Sequence, residues 1–83
     1  MMFHKVKTVK PLANYMLEVT FEDDTMKYYD VSNLFEKWEV FEDLRKIEGL
    51  FEQVIVDKGG YGISWNDAID LSCNELWENG SIK

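Results

Sequence analysis

Cysteine and histidine are almost absent from the sequence. Cys73 is the single cysteine and His4 the single histidine among 83 residues. A lone cysteine cannot form an internal disulfide, which is consistent with a reducing compartment. Closed zinc sites take four such ligands, so the chain has too few for one. A Cys–His catalytic pair would also need a third group that orients the histidine, and no sequence signature indicates that arrangement.

Long apolar runs and basic residues are scarce as well. The longest apolar runs, such as Val54-Ile55-Val56, fall far short of the roughly 20 residues that a membrane-spanning helix needs. The first residues, MMFHKVKTVK, lack the apolar middle of a signal peptide. Nine basic residues stand against 16 acidic ones, giving a formal net charge of -7, which disfavours nucleic acid because its phosphates would be repelled. We therefore expect a cytoplasmic protein that binds neither membrane nor nucleic acid.

The composition is that of one small globular domain. Hydrophobic residues make up 46% of the chain and aromatic residues 14%, which predicts a single domain over residues 1–83. A chain this short buries only about 60% of its unfolded surface, so little apolar material is left to wall a deep active site. Lys5, Lys7 and Lys10 fall in the first ten residues without any acid. They are typical of a solvated or edge strand, with a phosphate-binding patch as the alternative.

An alternating segment followed by two aspartates predicts a β-hairpin. Four apolar residues occupy every second position: Tyr15, Leu17, Val19 and Phe21. This period is that of a strand with one buried face. If Asp23-Asp24 form the whole loop, Phe21 pairs with Met26 and Val19 pairs with Tyr28, all on the core side.

The same register assigns a second set of residues to the opposite face of this hairpin. These are Met16, Glu18, Tyr29 and Val31. A face that no helix covers should be polar, yet this one is largely apolar with a polar rim, as at the centre of a protein interface. We predict a partner-binding patch here, used by a second protein or by self-association; scattered exposed apolar residues are the alternative.

The middle of the chain carries helical and strand patterns in turn. A stripe at spacings of three and four predicts that residues 33–47 form one helix or two short ones, capped by Ser32 and ended by Gly49. The stripe consists of Leu34, Trp38, Phe41, Leu44 and Ile47. A second hairpin is predicted from Val54 onwards, with a turn at residues 58–60. Its core face is expected to contain Val54, Val56, Tyr61, Ile63 and Trp65.

The stretch SWNDAIDLS, residues 64–72, is either a chemical site or a structural corner. Asp67 and Asp70 are candidates for metal or proton chemistry, but their spacing does not follow a calcium loop. Ser72 and Glu75 have the spacing of a capping box, which predicts that a short helix starts there and that residues 79–80 close it. We therefore interpret Asp70 and Ser72 as structural, and expect no catalytic residue, metal or cofactor.

The order of these segments resembles a known family. The resembling stretches are LANYMLEVTFEDDT at 12–25, DVSNLF at 30–35, VFEDLRKIEGLFEQVIVD at 40–57 and ISWNDAIDLSCNELW at 63–77. Together they are similar to the domain of unknown function 2442 family, including its tryptophan followed by a turn and Asp-Leu, here Trp65, Asp70 and Leu71. Asp24 stands where a turn glycine is usual in that family, and Asn66 stands where a proline is common.

The resemblance implies both a fold and a role. The implied fold is a small α+β domain, here an antiparallel sheet built from two hairpins with short helices on one face. Members look like antitoxin components of two-gene toxin–antitoxin modules, so the resemblance implies a non-enzymatic protein that binds a small basic partner encoded nearby. Some members continue into a DNA-binding helix-turn-helix domain, which we expect this chain to lack. The alternative is a small enzyme, or a ligand- or metal-binding domain, that uses Asp67 and Asp70.

Overall fold

The computed structural model describes residues 3–82, which form two three-stranded antiparallel sheets joined by short helical segments. The first sheet has the order β1-β2-β3, with strands β1 (Val6–Leu12), β2 (Met16–Phe21) and β3 (Met26–Asp30). The second has the order β4-β5-β6, with strands β4 (Ile55–Val56), β5 (Gly62–Asn66) and β6 (Ile69–Ser72). The α-helices are α1 (Asp43–Lys46) and α2 (Cys73–Asn79). The α+β class predicted from the sequence is confirmed.

The first hairpin has a longer loop than the predicted two residues. Phe21 pairs with Thr25, its N–H donating to the Thr25 carbonyl at 2.8 Å, so that residues 22–24 form the turn. Asp24 adopts a positive φ of 72°, as expected at the left-handed position of a three-residue loop. The Asp23 carboxylate accepts a hydrogen bond from the Thr25 N–H at 2.9 Å, and this bond lowers the pKa of Asp23. The extra loop residue shifts β3 by one position relative to β2.

That shift exchanges the two faces of β3. Val19 pairs with Lys27 and Leu17 with Tyr29, so Tyr29 points into the core and Tyr28 points outward. Tyr29 retains only 5% of its exposure and Val31 retains none. The predicted surface patch is therefore wrong in these two members, because a slip of one residue turns every side chain of a strand to the other side. A partner contact at Met16 and Glu18 stays a prediction.

A single apolar core lies between the inner faces of both sheets. Its most deeply buried members come from β2, the turn after β3, β5, β6 and α2: Leu17, Val19, Phe21, Val31, Ile63, Ile69 and Leu76. The predicted second hairpin is confirmed in register, with Val56 opposite Ile63. Trp65 is also buried, and its indole N–H donates to the Phe51 carbonyl at 3.0 Å. Tyr61 lies in the turn and is half exposed, so its predicted core position is wrong.

Of the two alternatives predicted for residues 33–47, one helix or two short ones, the structure has short pieces. Single 3-10 turns span Val31–Leu34 and Glu39–Glu42, and α1 adds one more turn. Between them Trp38 has extended backbone angles, so the apolar stripe does not stay on one side. Trp38 and Ile47 are 56% and 52% exposed, contrary to the prediction that the whole stripe is core. The predicted Ser32 cap is also wrong, because the Asp30 carboxylate caps the first turn and accepts from the Ser32 N–H at 3.0 Å.

The stretch 64–72 forms a hairpin before it reaches the helix. The Asn66 side-chain oxygen accepts from the Ala68 N–H at 2.8 Å and from the Ile69 N–H at 3.0 Å, which holds the turn. The chain then returns as β6, a strand that the sequence patterns did not predict. Ser72 ends that strand and caps α2 by accepting from the Glu75 N–H at 3.1 Å. The predicted cap at Ser72 is confirmed, and α2 ends at Asn79 with Gly80 as its C-cap.

Candidate protein-binding surface

The side of the first sheet that points away from the core is partly exposed to solvent. We call it the outer face, and period-two alternation places nine residues on it: Thr8, Lys10, Leu12, Met16, Glu18, Thr20, Met26, Tyr28 and Asp30. None of these residues is buried, whereas the intervening β2 residues Leu17, Val19 and Phe21 are at most 1% exposed. The sheet therefore has one fully packed side and one open side.

Apolar and aromatic side chains surround the Glu18 carboxylate on the outer face. Met26 is 43% exposed, and the Tyr28 hydroxyl lies 3.4 Å from a Glu18 carboxylate oxygen and 3.8 Å from the Met26 sulfur. Lys10 is the cross-strand neighbour of Glu18 on β1. The two do not form an ion pair, since the ion pairs within residues 3–82 are Lys7–Asp24 and Arg45–Glu42. Methionine and tyrosine are residue types that protein interfaces favour.

A groove adjoins the outer face at the open edge of β3. It has a volume of about 480 Å³ and lies between β3 and the end of α2. Met16, Tyr28 and Asp30 line it from the sheet side, and Glu75 and Asn79 line it from the helix. The first three residues also belong to the outer face, so the groove and the outer face form one surface.

The chain itself pairs with the same edge of β3. Ser81 and Tyr28 exchange two backbone hydrogen bonds, of 2.7 and 2.8 Å, as an isolated antiparallel bridge. The N–H of Tyr28 therefore points away from β2, as alternation along an edge strand requires. This bridge closes one end of the groove and fixes the position of the Tyr28 side chain on the outer face.

Tyr29 connects the floor of the groove to α2. Its hydroxyl donates to the Glu75 carboxylate at 2.7 Å. Burial, reinforced by the bond to Glu75, raises the pKa of Tyr29 well above its usual range. The sequence predicted that Glu75 would reach back to the backbone of Ser72 as part of a capping box, but its carboxylate is engaged with Tyr29 instead. Glu75 thus holds the helix against the first sheet.

The aspartates considered for metal or proton chemistry lie elsewhere, on the second sheet. Asp67 is exposed in the turn between β5 and β6, and Asp70 is exposed on β6 opposite Ser64. Asp57 accepts a hydrogen bond from the Ser64 hydroxyl at 2.7 Å. In residues 3–82 the structure contains no group of three or more His, Cys, Asp or Glu side chains arranged to hold a metal ion.

His4 and Cys73 have structural surroundings. The His4 ring stacks on the Trp77 indole with centroids 3.6 Å apart. Cys73 begins α2 and is 2% exposed. Their partners are thus an aromatic ring and the apolar core.

Sequence reasoning found part of the surface and missed the rest. Met16 and Glu18 were placed correctly on the outer face, whereas Met26 and Tyr28 were assigned to the core. The signal that could have found them is Asp24, because aspartate tolerates the positive φ that this residue adopts. A residue suited to positive φ at this point favours a three-residue loop over a two-residue loop.

No helix within residues 3–82 has the length and apolar character required to cross a membrane.

Comparison with known proteins identifies a family but no individual relative. Neither a curated protein nor a solved structure matches the chain. A family described as "Protein of unknown function (DUF2442)" matches residues 6–81, which include both sheets and α2, so the chain belongs to this family.

Proposed function

We propose that the protein is a non-enzymatic protein-binding module, of the antitoxin kind in a two-gene toxin–antitoxin pair. Its partner would be a small basic protein encoded by a neighbouring gene, and its location would be the cytoplasm. The observation that carries the proposal is the outer face: Met26 is exposed, and Met16 and Tyr28 are partly exposed, on a sheet whose opposite side is packed. The antitoxin role itself rests on the family resemblance.

The composition of the outer face supports binding to another protein. Methionine adapts to differently shaped partners, and tyrosine contributes a large area with few rotatable bonds. A stable interface of standard size buries about 800 Å² on each partner. Nine half-exposed side chains supply only part of that area, so we include the adjoining groove in the proposed surface.

The charge distribution supports a basic partner. The net charge is -7, and three of the nine basic residues lie among the first ten, so that residues 11–83 carry 6 basic against 16 acidic groups. This net charge steers a basic protein toward the molecule and repels acidic competitors.

Co-expression with the product of the neighbouring gene tests the proposal. The two proteins should co-purify, and Met16→Glu and Tyr28→Ala should weaken the complex while circular dichroism stays that of the parent. Ile55→Glu is the matched control, because Ile55 is 61% exposed on the outer side of the second sheet. Growth of cells that express the neighbour alone tests its toxicity. The proposal fails if no complex forms, or if the control weakens the complex as much as the two outer-face variants do.

A further inference from the structure

We infer that the partner places a cationic side chain, arginine or lysine, against Glu18 at the centre of the outer face. This inference rests on the proposed protein-binding function and deepens it by naming the chemistry of the partner. It concerns one carboxylate and the residues that border it.

Glu18 occupies the central position of the outer face. It lies on the middle strand, between Lys10 on β1 and Tyr28 on β3 in the pairing register. Along β2 its neighbours on the same side are Met16 and Thr20. A protein that covers the apolar residues of this surface therefore also covers Glu18 and removes water from its carboxylate.

Within residues 3–82 no cationic side chain lies at ion-pair distance from Glu18, although Lys10 is its cross-strand neighbour. No ion pair joins it to Lys10, since the ion pairs in residues 3–82 involve other residues. Its polar contact is with the Tyr28 hydroxyl at 3.4 Å, which is long for a hydrogen bond between two oxygen atoms. An ionised carboxylate that loses water without a partner is strongly unfavourable, so the incoming surface has to supply the opposite charge.

Other occupants fit this arrangement poorly. Two copies of the chain that packed outer face to outer face around a two-fold axis through the centre would place Glu18 against Glu18, and like charges in contact are destabilising. An acidic surface would meet the same repulsion. A guanidinium group, in contrast, can pair with the carboxylate and stack on the adjacent Tyr28 ring.

Glu18→Gln and Glu18→Lys test the inference, with the purified product of the neighbouring gene as the probe. Glutamine keeps the size of glutamate and removes its charge, so its complex should be at least tenfold weaker by calorimetry. Lysine should abolish binding at the same protein concentrations. Asp70→Asn is the matched control, because Asp70 is an exposed carboxylate on the second sheet, and it should leave the affinity within twofold of the parent. Circular dichroism and urea unfolding identify any variant that fails to fold. If Glu18→Lys does not fold, the affinity of the isosteric Glu18→Gln variant alone tests the inference.

The outcomes separate this inference from the proposed function. Binding of the parent with unchanged affinity of Glu18→Gln overturns the inference and leaves the protein-binding role in place. Absence of any complex with the parent overturns both. Sedimentation that detects a dimer of the parent, and a monomer of Tyr28→Ala, would assign the outer face to a second copy and would also overturn the inference. A weaker salt dependence of the Glu18→Gln complex, relative to the parent complex, supports it.

Discussion

The outer sides of the two sheets differ in chemistry, although their inner sides share one core. On the second sheet the row across the strands is Ile55, Ser64 and Asp70. Ser64 is already bonded to Asp57 within the chain, and Ile55 is the apolar member of the row. On the first sheet the corresponding row is Lys10, Glu18 and Tyr28, bordered by two methionines.

This difference indicates where function is to be sought. The packing of the core constrains the inner residues of both sheets in the same way, because each must exclude water. The outer residues carry no such constraint, so their composition reflects solubility or binding. The row on the second sheet is polar apart from the exposed Ile55 and fits solvent, whereas the apolar surround and central carboxylate on the first sheet fit a partner.

The largest expected effect tests whether the two sheets depend on the same core. Leu17→Ala should lower the free energy of unfolding by about 3 kcal/mol, because it opens a cavity at a fully buried site. Urea unfolding followed by tryptophan fluorescence and by far-ultraviolet circular dichroism should give coincident transitions for the variant. Ile55→Ala is the exposed control and should change stability little. Separate transitions would mean that the two sheets unfold independently.

Removal of the Tyr29 hydroxyl should have the next largest effect. Tyr29→Phe deletes the hydrogen bond to Glu75 and should lower the free energy of unfolding by about 1.5 kcal/mol at neutral pH. This value is at the low end for a hydrogen bond to a charged group, because the bond is only partly buried.

The effect of Tyr29→Phe should also depend on pH in a defined direction. An unfolded tyrosine ionises near pH 10, about its ordinary pKa, whereas the folded protein holds the Tyr29 proton to higher pH. The raised pKa therefore stabilises the fold fully below pH of about 10, and this contribution decreases as the pH rises further. The difference in stability between parent and variant should shrink across that range. Urea unfolding at neutral and alkaline pH measures it, and a constant difference would contradict the prediction.

A smaller effect is expected at the start of α2. Ser72→Ala removes the side-chain acceptor for the Glu75 N–H. It should lower the free energy of unfolding by about 1 kcal/mol, a typical value for loss of an N-cap. Affinity for the neighbouring gene product should remain that of the parent, since Ser72 is on the second sheet. A variant as stable as the parent in urea would rule out an energetic role for the cap.

The smallest expected effect concerns the two aspartates of the second sheet. Asp67→Asn combined with Asp70→Asn should leave both partner affinity and divalent-metal binding unchanged, because both side chains are exposed and separate from the outer face. Calorimetry with calcium, magnesium and manganese measures this. A specific metal site that is lost in the double variant would move the search for function to the second sheet.

Local sequence patterns predicted the elements whose causes are local. The alternation in β2, the second hairpin up to Trp65 and the cap at Ser72 each depend on residues that are close in the chain, so their spacing was sufficient. The four-residue strand β6 was missed because Ile69 and Leu71 offer too short an alternation to recognise. Of the two alternatives for residues 33–47, a single helix is wrong because the chain is extended at Trp38, and the spacing of the apolar stripe does not detect that break.

The sequence by itself determined the α+β class, the central strand β2 and the presence of Met16 and Glu18 on its outer side. Tertiary structure decided which residues of β3 accompany them. A loop of three residues, 22–24, in place of the predicted two moved Tyr29 into the core, where α2 offers Glu75 as a partner, and turned Tyr28 outward. Side chains alternate along a strand with a period of two, so a register shift of a single residue reverses a whole face, and only the paired strands together fix that register.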